Sequence, residues 1–244
     1  MPSLETRMIA DLKCHIITAE KPECLVVLCH GFGAPGDDLV QIGAYLIESR
    51  PELKDRVVIA FPEAPLSLEE MGMPRSRAWW PLDMEKLNQA VESGDFRDLR
   101  NESPELLPDA REKLIAVMDQ LQEEYDIGIR RTIVGGFSQG SMLATDYALQ
   151  TIMKPAGLII WSGTLLNEPI WKGLAESMQG IPILQSHGTS DNILPFKAAG
   201  WLREMLSQGG ADVNFLQFSG GHTISPESLD AAGEMILSTL NKES

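Results

Sequence analysis

Hydrophobic residues occur along the chain as short continuous runs that alternate with longer stretches of helical periodicity. A continuous apolar run bounded by turn residues is typical of a strand buried on both faces of a sheet. Strict alternation of apolar and polar residues instead indicates a half-buried strand. These patterns predict an edge strand within residues 8–18 and further strands over residues 24–29, 57–60, 132–134, 156–161, 181–185 and 213–218.

Between these strands, apolar residues recur at the spacing of amphipathic helices. We expect Asp37 or Asp38 to cap the first helix. Because strands alternate with helices throughout, the pattern predicts an α/β fold with a mainly parallel central sheet and helices on both faces. The other predicted helices cover residues 108–125, 168–178, 195–207 and 226–240, and a polar stretch compatible with helix covers 87–100.

A Gly-x-Ser-x-Gly sequence centred on Ser138 lies between a predicted strand and a predicted helix. Gly136 and Gly140 suit this place because a serine on a tight, strained turn leaves no room for neighbouring side chains. The turn would raise the Ser138 hydroxyl beside a helix N-terminus, which favours negative charge. The five residues alone fit a glycine-rich turn equally well, but both flanks match the nucleophile elbow of an α/β-hydrolase.

A serine nucleophile needs a base, and a carboxylate that orients the base. Ligands bind beyond the carboxyl ends of parallel strands, where the loops that carry Asp191 and His222 are predicted to lie. His222 follows the last strand and is the predicted base, and Asp191 is the predicted acid. The order Ser138, Asp191, His222 is that of an α/β-hydrolase.

Other histidines and aspartates compete for these roles. His15 lies within the predicted edge strand, and His30 and His187 each precede a glycine, so we interpret the latter two as structural residues that orient loops. Asp146 lies on the helix after Ser138, where solvation or helix pairing suits it better. Asp212 begins a strand, at the wrong end of the sheet.

An acyl-transfer site also needs two N–H donors directed at the oxyanion. We expect them from the backbone of Gln139, which follows the nucleophile, and of Phe32 in the first glycine-rich loop. Residues 66–83 are unusually apolar for an irregular stretch, and they fit either a loop packed on the core or a flap lining a substrate pocket. The flap interpretation makes four side chains candidates for substrate binding beside Phe32, namely Met71, Met73, Trp79 and Trp80.

Composition narrows the class of protein further. The 244 residues carry no linker or repeat, which predicts one domain over residues 1–244. A formal charge of −15 argues against nucleic acid and anionic membranes as partners. We see no signal peptide, apolar run of membrane-spanning length, metal cluster or phosphate-binding loop, so we expect a cytoplasmic protein without cofactor or metal. The three cysteines, Cys14, Cys24 and Cys29, are expected to be reduced and buried, and nothing in the sequence indicates an oligomeric state.

With these residues placed, the sequence resembles the phospholipase/carboxylesterase family of α/β-hydrolases, which includes the acyl-protein thioesterases. The resemblance spans roughly the whole chain, although Phe32 stands where the family often has leucine. It is carried by Leu-Cys-His-Gly-Phe-Gly at 28–33, Gly-Gly-Phe-Ser-Gln-Gly at 135–140, His-Gly-Thr-Ser-Asp at 187–191 with Pro195, Gly-Gly-His at 220–222, and Arg-Ala-Trp-Trp at 77–80 with Asp83.

The resemblance implies a serine esterase with Ser138, Asp191 and His222 as its triad. We expect it to hydrolyse short- to medium-chain carboxylic esters through an acyl-serine intermediate, since the Phe32 ring would shorten the acyl site. The substrate would be a small-molecule ester or thioester. An acyl-protein thioesterase or lysophospholipase is the alternative within the class, and a non-catalytic binding module is the rival outside it.

Overall fold

The strands and helices were located in a computed structural model that describes residues 3–93 and 98–242. The strands of this part of the chain are β1 (Ser3–Ile9), β2 (Leu12–Thr18), β3 (Cys24–Cys29), β4 (Val57–Pro62), β5 (Leu66–Ser67), β6 (Arg77–Ala78), β7 (Thr132–Phe137), β8 (Gly157–Trp161), β9 (Pro182–Gly188) and β10 (Asp212–Phe218). Its α-helices are α1 (Val40–Ser49), α2 (Met84–Ser93), α3 (Leu107–Tyr125), α4 (Gln139–Gln150), α5 (Glu168–Leu174), α6 (Phe196–Gln208) and α7 (Pro226–Asn241).

Eight of these strands form one sheet in the order β1-β2-β4-β3-β7-β8-β9-β10, and β5 pairs with β6 in a small antiparallel ribbon. The pairs from β4 through β10 are parallel, whereas β1 and β2 are antiparallel to their neighbours. The predicted mainly parallel sheet is therefore confirmed. Its parallel strands bring the loops after β3, β7, β9 and β10 to a single edge.

Apolar side chains pack on both faces of the sheet, which confirms the predicted layers. In β3, Leu25 and Val27 belong to the cluster beneath α3, α4, α5 and α6, while Val26 and Leu28 belong to the cluster beneath α1 and α7. Successive strand residues point to opposite faces, so a strand buried on both faces must be apolar at every position. This requirement explains why residues 24–29 form a continuous apolar run in the sequence.

The N-terminal part of the chain differs from the prediction. Residues 8–18 are not one edge strand, because a turn at Ala10 separates β1 from β2, and Ala10 has a φ of 47°. His15 consequently lies in β2, one strand in from the edge, where it is paired with Phe61 of β4. A positive φ at alanine is uncommon, and no glycine or asparagine marks this turn in the sequence.

The start of α1 also differs from the prediction. Neither Asp37 nor Asp38 caps it, since Leu39 is the N-cap residue and no side chain bonds the first turn. Turns precede the helix instead, with the Asp38 N–H donating to Pro35 O (3.1 Å) and the Val40 N–H to Asp37 O (3.1 Å). These turns displace the helix start beyond the two aspartates. Of the polar stretch predicted as helix-compatible over 87–100, residues 87–93 are helical in α2, residues 94–97 lie outside the described residues, and residues 98–100 are not helical.

The described helices include none that is long and apolar enough to cross a membrane. Cys14, Cys24 and Cys29 are unpaired and buried, as predicted. Burial raises the pKa of Cys14 and of Cys24 to about 12, which keeps both thiols protonated at neutral pH.

Candidate active site

Ser138 forms the turn between β7 and α4 in a strained conformation. Its φ is 53° and its ψ is −120°, a region that non-glycine residues rarely adopt. Backbone bonds hold this turn on both sides, because the Ser138 N–H donates to Trp161 O (2.8 Å) and Ser138 O accepts from the Ser141 N–H (3.0 Å). The predicted strand, turn and helix around Ser138 are thus present.

The two glycines of this turn are required by the close approach of β3. A Cβ atom on Gly136 would lie 2.3 Å from Cys29 O, and one on Gly140 would lie 2.1 Å from the same oxygen. The loop after β3 continues directly beside the serine, since a Cβ atom on Gly31 would lie 3.3 Å from Ser138 Cβ. The glycine-rich loop and the elbow are therefore in contact.

Asp191 and His222 are hydrogen-bonded to each other at the same edge of the sheet. His222 Nδ1 lies 2.7 Å from Asp191 Oδ2, and Asp191 Oδ1 accepts the backbone N–H groups of Ile193 and Leu194 at 2.9 Å. The carboxylate is fully buried, whereas the His222 side chain remains partly accessible and packs against the Phe137 ring. An ionised Asp191 fixes the Nδ1–H tautomer of His222 and leaves its Nε2 free to accept a proton.

The surroundings of Asp191 keep it ionised. Burial acts to raise the pKa of its carboxyl, but hydrogen bonds from His187 and His222, the charge of His222 and the Leu194 N–H outweigh burial. The net result is a pKa well below the usual range for aspartate.

His187 contributes to this site in a way that the sequence did not reveal. Its Nε2 lies 2.7 Å from Leu194 O and 3.2 Å from Asp191 Oδ2, so one N–H reaches both acceptors. His187 orients a loop, as predicted, and it also contacts the proposed acid. The spacing of four residues between His187 and Asp191 within one loop is the signal that could have indicated the contact.

His30 is a buried structural residue, in line with its interpretation. Its Nε2 accepts the Ala64 N–H (3.0 Å), so its Nδ1 carries the proton that is donated to Gly31 O (2.8 Å). Burial lowers the pKa of His30, which favours this neutral form. The imidazole therefore braces the start of the glycine-rich loop.

The competing aspartates lie away from His222. Asp146 is fully buried in α4, where its carboxylate accepts from Arg111 Nη1 of α3 (2.6 Å) and Trp171 Nε1 of α5 (2.8 Å). Of the two roles considered for Asp146, helix pairing is therefore correct and solvation is wrong. Asp212 is the first residue of β10, at the end of the strand opposite His222.

A cavity of about 360 Å³ opens beside Ser138 and His222. Phe32, Met73 and Trp80, three of the residues expected to bind substrate, line it. Gln139, predicted as an oxyanion donor, and Glu102 also line it. The remaining described lining residues were not predicted from the sequence and are mostly apolar, namely Gly33, Leu82, Met84, Leu99, Pro104, Met142, Leu166, Ile193 and Leu194.

Two predicted lining residues must be corrected. Met71 is 53 % exposed and lies outside the described lining, because it belongs to a short 3₁₀ turn (Glu69–Met71) on the surface. Trp79 is buried in the core, and its indole Nε1 donates to His30 O (2.9 Å) instead of facing the cavity. The apolar stretch thus combines both interpretations, since part of it packs on the core and part lines the cavity.

The backbone amides of Phe32 and Gln139 both belong to residues that line the cavity. Within the described residues, neither N–H donates to a protein acceptor. The N–H of Gln139 is in the first turn of α4, where helix amides have no partner within the helix. Both groups are therefore available to an anionic oxygen.

For metals, the described residues hold no group of three or more histidine, cysteine or carboxylate side chains that could bind an ion.

The mostly parallel sheet, with a strained serine after β7 and a histidine after its last strand, defines an α/β-hydrolase fold. The chain belongs to the Phospholipase/Carboxylesterase family, whose sequence model matches residues 13–240. This confirms the family resemblance and makes the chain a member of a hydrolase family.

Individual relatives cover nearly the whole chain. Acyl-protein thioesterase 1 of Eremothecium gossypii is 28 % identical over 229 residues, which are 92 % of either chain. Acyl-protein thioesterase 1 homolog 1 of Dictyostelium discoideum is 28 % identical over 223 residues, covering 89 % of this chain and 91 % of the relative. The crystal structure of esterase PE8 is 26 % identical with a TM-score of 0.77, covering 97 % of this chain and 99 % of the other. TT1662 from Thermus thermophilus matches the whole of both chains at 14 % identity with a TM-score of 0.74, a similarity of fold alone.

Proposed function

We propose that this protein is a serine carboxylesterase that hydrolyses short- to medium-chain carboxylic esters through an acyl-serine intermediate. The observation that carries the proposal is the cavity that Ser138 and His222 line together, with Asp191 hydrogen-bonded behind the histidine. A strained serine, a histidine with a free Nε2 and a buried carboxylate are the three groups that acyl transfer to serine requires.

In the proposed mechanism, Ser138 Oγ attacks the ester carbonyl while His222 Nε2 accepts the hydroxyl proton. The tetrahedral oxyanion accepts hydrogen bonds from the backbone N–H groups of Phe32 and Gln139. His222 then returns the proton to the leaving alkoxide as the carbon–oxygen bond breaks. Water repeats the sequence on the acyl-serine, which releases the carboxylic acid and restores the Ser138 hydroxyl.

Asp191 acts in this mechanism without changing its own protonation state. Its lowered pKa keeps it ionised at every pH at which His222 can act as a base. It therefore stabilises the imidazolium that forms when His222 takes the proton, and it prevents the ring from adopting the opposite tautomer.

The proposed preference for short and medium acyl chains is supported by the size and the lining of the cavity. Its volume of about 360 Å³ is enclosed largely by apolar side chains, and the Phe32 ring forms part of the lining. An acyl-protein thioesterase or lysophospholipase is the second candidate, favoured by the relatives at 28 % identity that are named acyl-protein thioesterase 1. A non-catalytic binding module is disfavoured because it needs neither a strained serine nor a buried aspartate beneath a histidine.

Two neighbouring serines provide the test. Ser138→Ala removes the proposed nucleophile and should lower kcat by at least about 10³-fold and abolish labelling by a fluorophosphonate. Ser141→Ala is the matched control, because Ser141 is fully buried and its hydroxyl donates to Ser138 O (2.7 Å). Labelling that survives Ser138→Ala but is lost in Ser141→Ala would contradict the assignment.

We further propose that the chain forms one domain and acts in the cytoplasm. One domain is supported by the two hydrophobic clusters that share the same sheet, one on each face. A reducing compartment is supported by the three cysteines, which are buried and unpaired.

A further inference from the structure

The side chain of Gln139 takes no part in the mechanism above, which uses only its backbone amide. This side chain is buried, with the residue 2 % exposed. Its Oε1 accepts the N–H of Trp79 (2.9 Å), and its Nε2 donates to the carbonyl oxygen of Trp80 (2.9 Å). The amide therefore pairs with the backbone of residues 79–80 through both of its polar ends, much as a neighbouring strand would.

Residues 77–80, which we call the Trp segment, also bind the loop that carries Phe32. Trp79 Nε1 donates to His30 O (2.9 Å), and the indole lies against the His30 ring. Further along the loop, the Gly33 N–H donates to Arg77 O (2.9 Å) and the Arg77 N–H to Ala34 O (3.0 Å). The Trp segment is thus hydrogen-bonded to the glycine-rich loop on both sides of Phe32.

The two proposed oxyanion donors come from different loops, and the Trp segment connects those loops. The Phe32 N–H follows β3, whereas the Gln139 N–H begins α4. An oxyanion hole works only if both donors lie about 2.7–3.1 Å from one oxygen position, so their separation must be fixed before the substrate arrives. The Gln139 side chain joins the elbow to this segment through two hydrogen bonds.

We propose that the Gln139 side chain is a positioning residue that fixes the backbone amides of Phe32 and Gln139 relative to each other through the Trp segment. It also holds Trp80 in the lining of the cavity. This inference rests on the proposed esterase function, because the distance between the two N–H donors matters only if both bind the oxyanion of an acyl-transfer reaction.

The arrangement requires the glutamine amide specifically. A glutamate at this position would place a carboxylate oxygen against Trp80 O, where Nε2 now donates, and would bury a charge. An asparagine is one methylene shorter and could not reach both backbone groups without movement of the segment. Methionine has a similar volume and length, so Gln139→Met removes both hydrogen bonds while it keeps the backbone N–H and the packing.

The matched control is a second buried glutamine outside the site. Gln185 in β9 is fully buried, and its Nε2 donates to Ala199 O of α6 (2.9 Å). Gln185→Met is therefore the same chemical change at another buried amide that binds a backbone carbonyl. Comparing the two variants separates a general cost of losing such a bond from an effect on the oxyanion donors.

The experiment measures kcat, KM and melting temperature for both variants on p-nitrophenyl acetate and butyrate, with the rate of fluorophosphonate labelling. For Gln139→Met we expect kcat to fall by about 10- to 100-fold on both esters, since a misplacement near 1 Å costs about that much. KM should change less than threefold, and labelling should slow by a factor similar to that for kcat. Gln185→Met should keep kcat within about twofold.

Equal kcat losses in the two variants at equal melting temperature, or a loss below threefold in Gln139→Met, would overturn the inference. Should Gln139→Met not fold, Trp79→Phe tests the same link, because it removes the indole donor to His30 O and keeps an aromatic ring. We then expect kcat to fall by up to about tenfold with KM unchanged, and an unchanged kcat would overturn the inference. If the unmodified protein shows no Ser138-dependent labelling, it is the proposed function that fails instead.

Discussion

The elbow and the cavity wall lie side by side, but the sequence specifies them in different ways. The elbow is confined to residues 135–140, where the approach of Cys29 O leaves space only for glycine on either side of Ser138. The wall is assembled from side chains that are distant in sequence, from Phe32 to Leu194. Backbone sterics over six residues produce a recognisable motif, whereas a surface built from many elements does not. The serine turn can therefore be recognised from a short stretch of sequence, whereas the set of residues that line the cavity cannot.

The same contrast appears within the apolar stretch before α2. Trp80 lines the cavity while the adjacent Trp79 points into the core, and Met73 lines the cavity while Met71 is largely exposed. Residue type does not distinguish the members of either pair. The difference lies in their local contacts, since Trp79 Nε1 is bonded to His30 O in the core and Met71 belongs to a 3₁₀ turn on the surface.

The largest effect should come from the carboxylate that is hydrogen-bonded to His222. Asp191→Asn should lower kcat by up to about 10⁴-fold while the fold is retained, because an asparagine can hold His222 in the wrong tautomer. Steady-state kinetics together with circular dichroism provide the measurement.

Asp146→Asn is the matched control for this variant. Asp146 is equally buried but binds Arg111 and Trp171 instead of a histidine, so its loss should lower the melting temperature and leave kcat of the folded fraction within a few-fold. Equal losses of kcat in the two variants would show that the hydrogen bond between Asp191 and His222 has no special role in catalysis.

The fold was largely predictable because its strands are buried on both faces, which forces continuous apolar runs such as residues 24–29. The turn at Ala10 was not, since its positive φ is imposed by the pairing of β1 with β2 and has no residue signal. In the site, the positions of Ser138, Asp191 and His222 follow from motifs at strand ends. The contact of His187 with Asp191 depends on the path of the loop as far as Leu194, which the sequence does not define.

The cavity wall should control chain length with the next largest effect. Each methylene buried in the transition state contributes about 0.8 kcal/mol, or about fourfold in kcat/KM. Rates on p-nitrophenyl esters from acetate to palmitate should therefore climb and then break at a short or medium chain. Phe32→Ala should move the break toward longer chains, with the smallest change on acetate, because the backbone N–H is retained.

A matched thioester series tests the alternative substrate class. A continuous rise through palmitate, with thioesters much faster than esters, would favour an acyl-protein thioesterase over the proposed carboxylesterase. A uniform loss in Phe32→Ala across all chain lengths would instead show that the ring does not bound the acyl site.

A smaller effect should separate the two methionines of the apolar stretch. Met73→Ala enlarges the cavity and removes apolar contact, so kcat/KM on a medium-chain ester should fall by about two- to fourfold. Met71→Ala should leave it unchanged, because that side chain is mostly exposed and outside the described lining. Equal losses would indicate that the surface turn also contacts the substrate.

The last of these effects concerns the stability of the fold at low pH. The folded pKa of Asp191 is lowered below its unfolded value of about 4, so the carboxylate contributes stability fully above that value. This contribution is lost as the pH falls further, through the folded pKa. Below pH 4, the free energy of unfolding should therefore decline more steeply with falling pH in the unmodified protein than in Asp191→Asn. Parallel curves from urea titrations would contradict the ionised, hydrogen-bonded carboxylate.

The acyl-serine intermediate is the centre of the proposed function, and trapping it is the most direct test. The protein is mixed with p-nitrophenyl acetate, quenched in acid within the first turnover, digested and mapped by mass spectrometry. We predict one acetyl group per chain, on the hydroxyl of Ser138, and none in Ser138→Ala. A stoichiometric burst of nitrophenol with the acetyl group on Ser141 or another residue would contradict the proposed nucleophile.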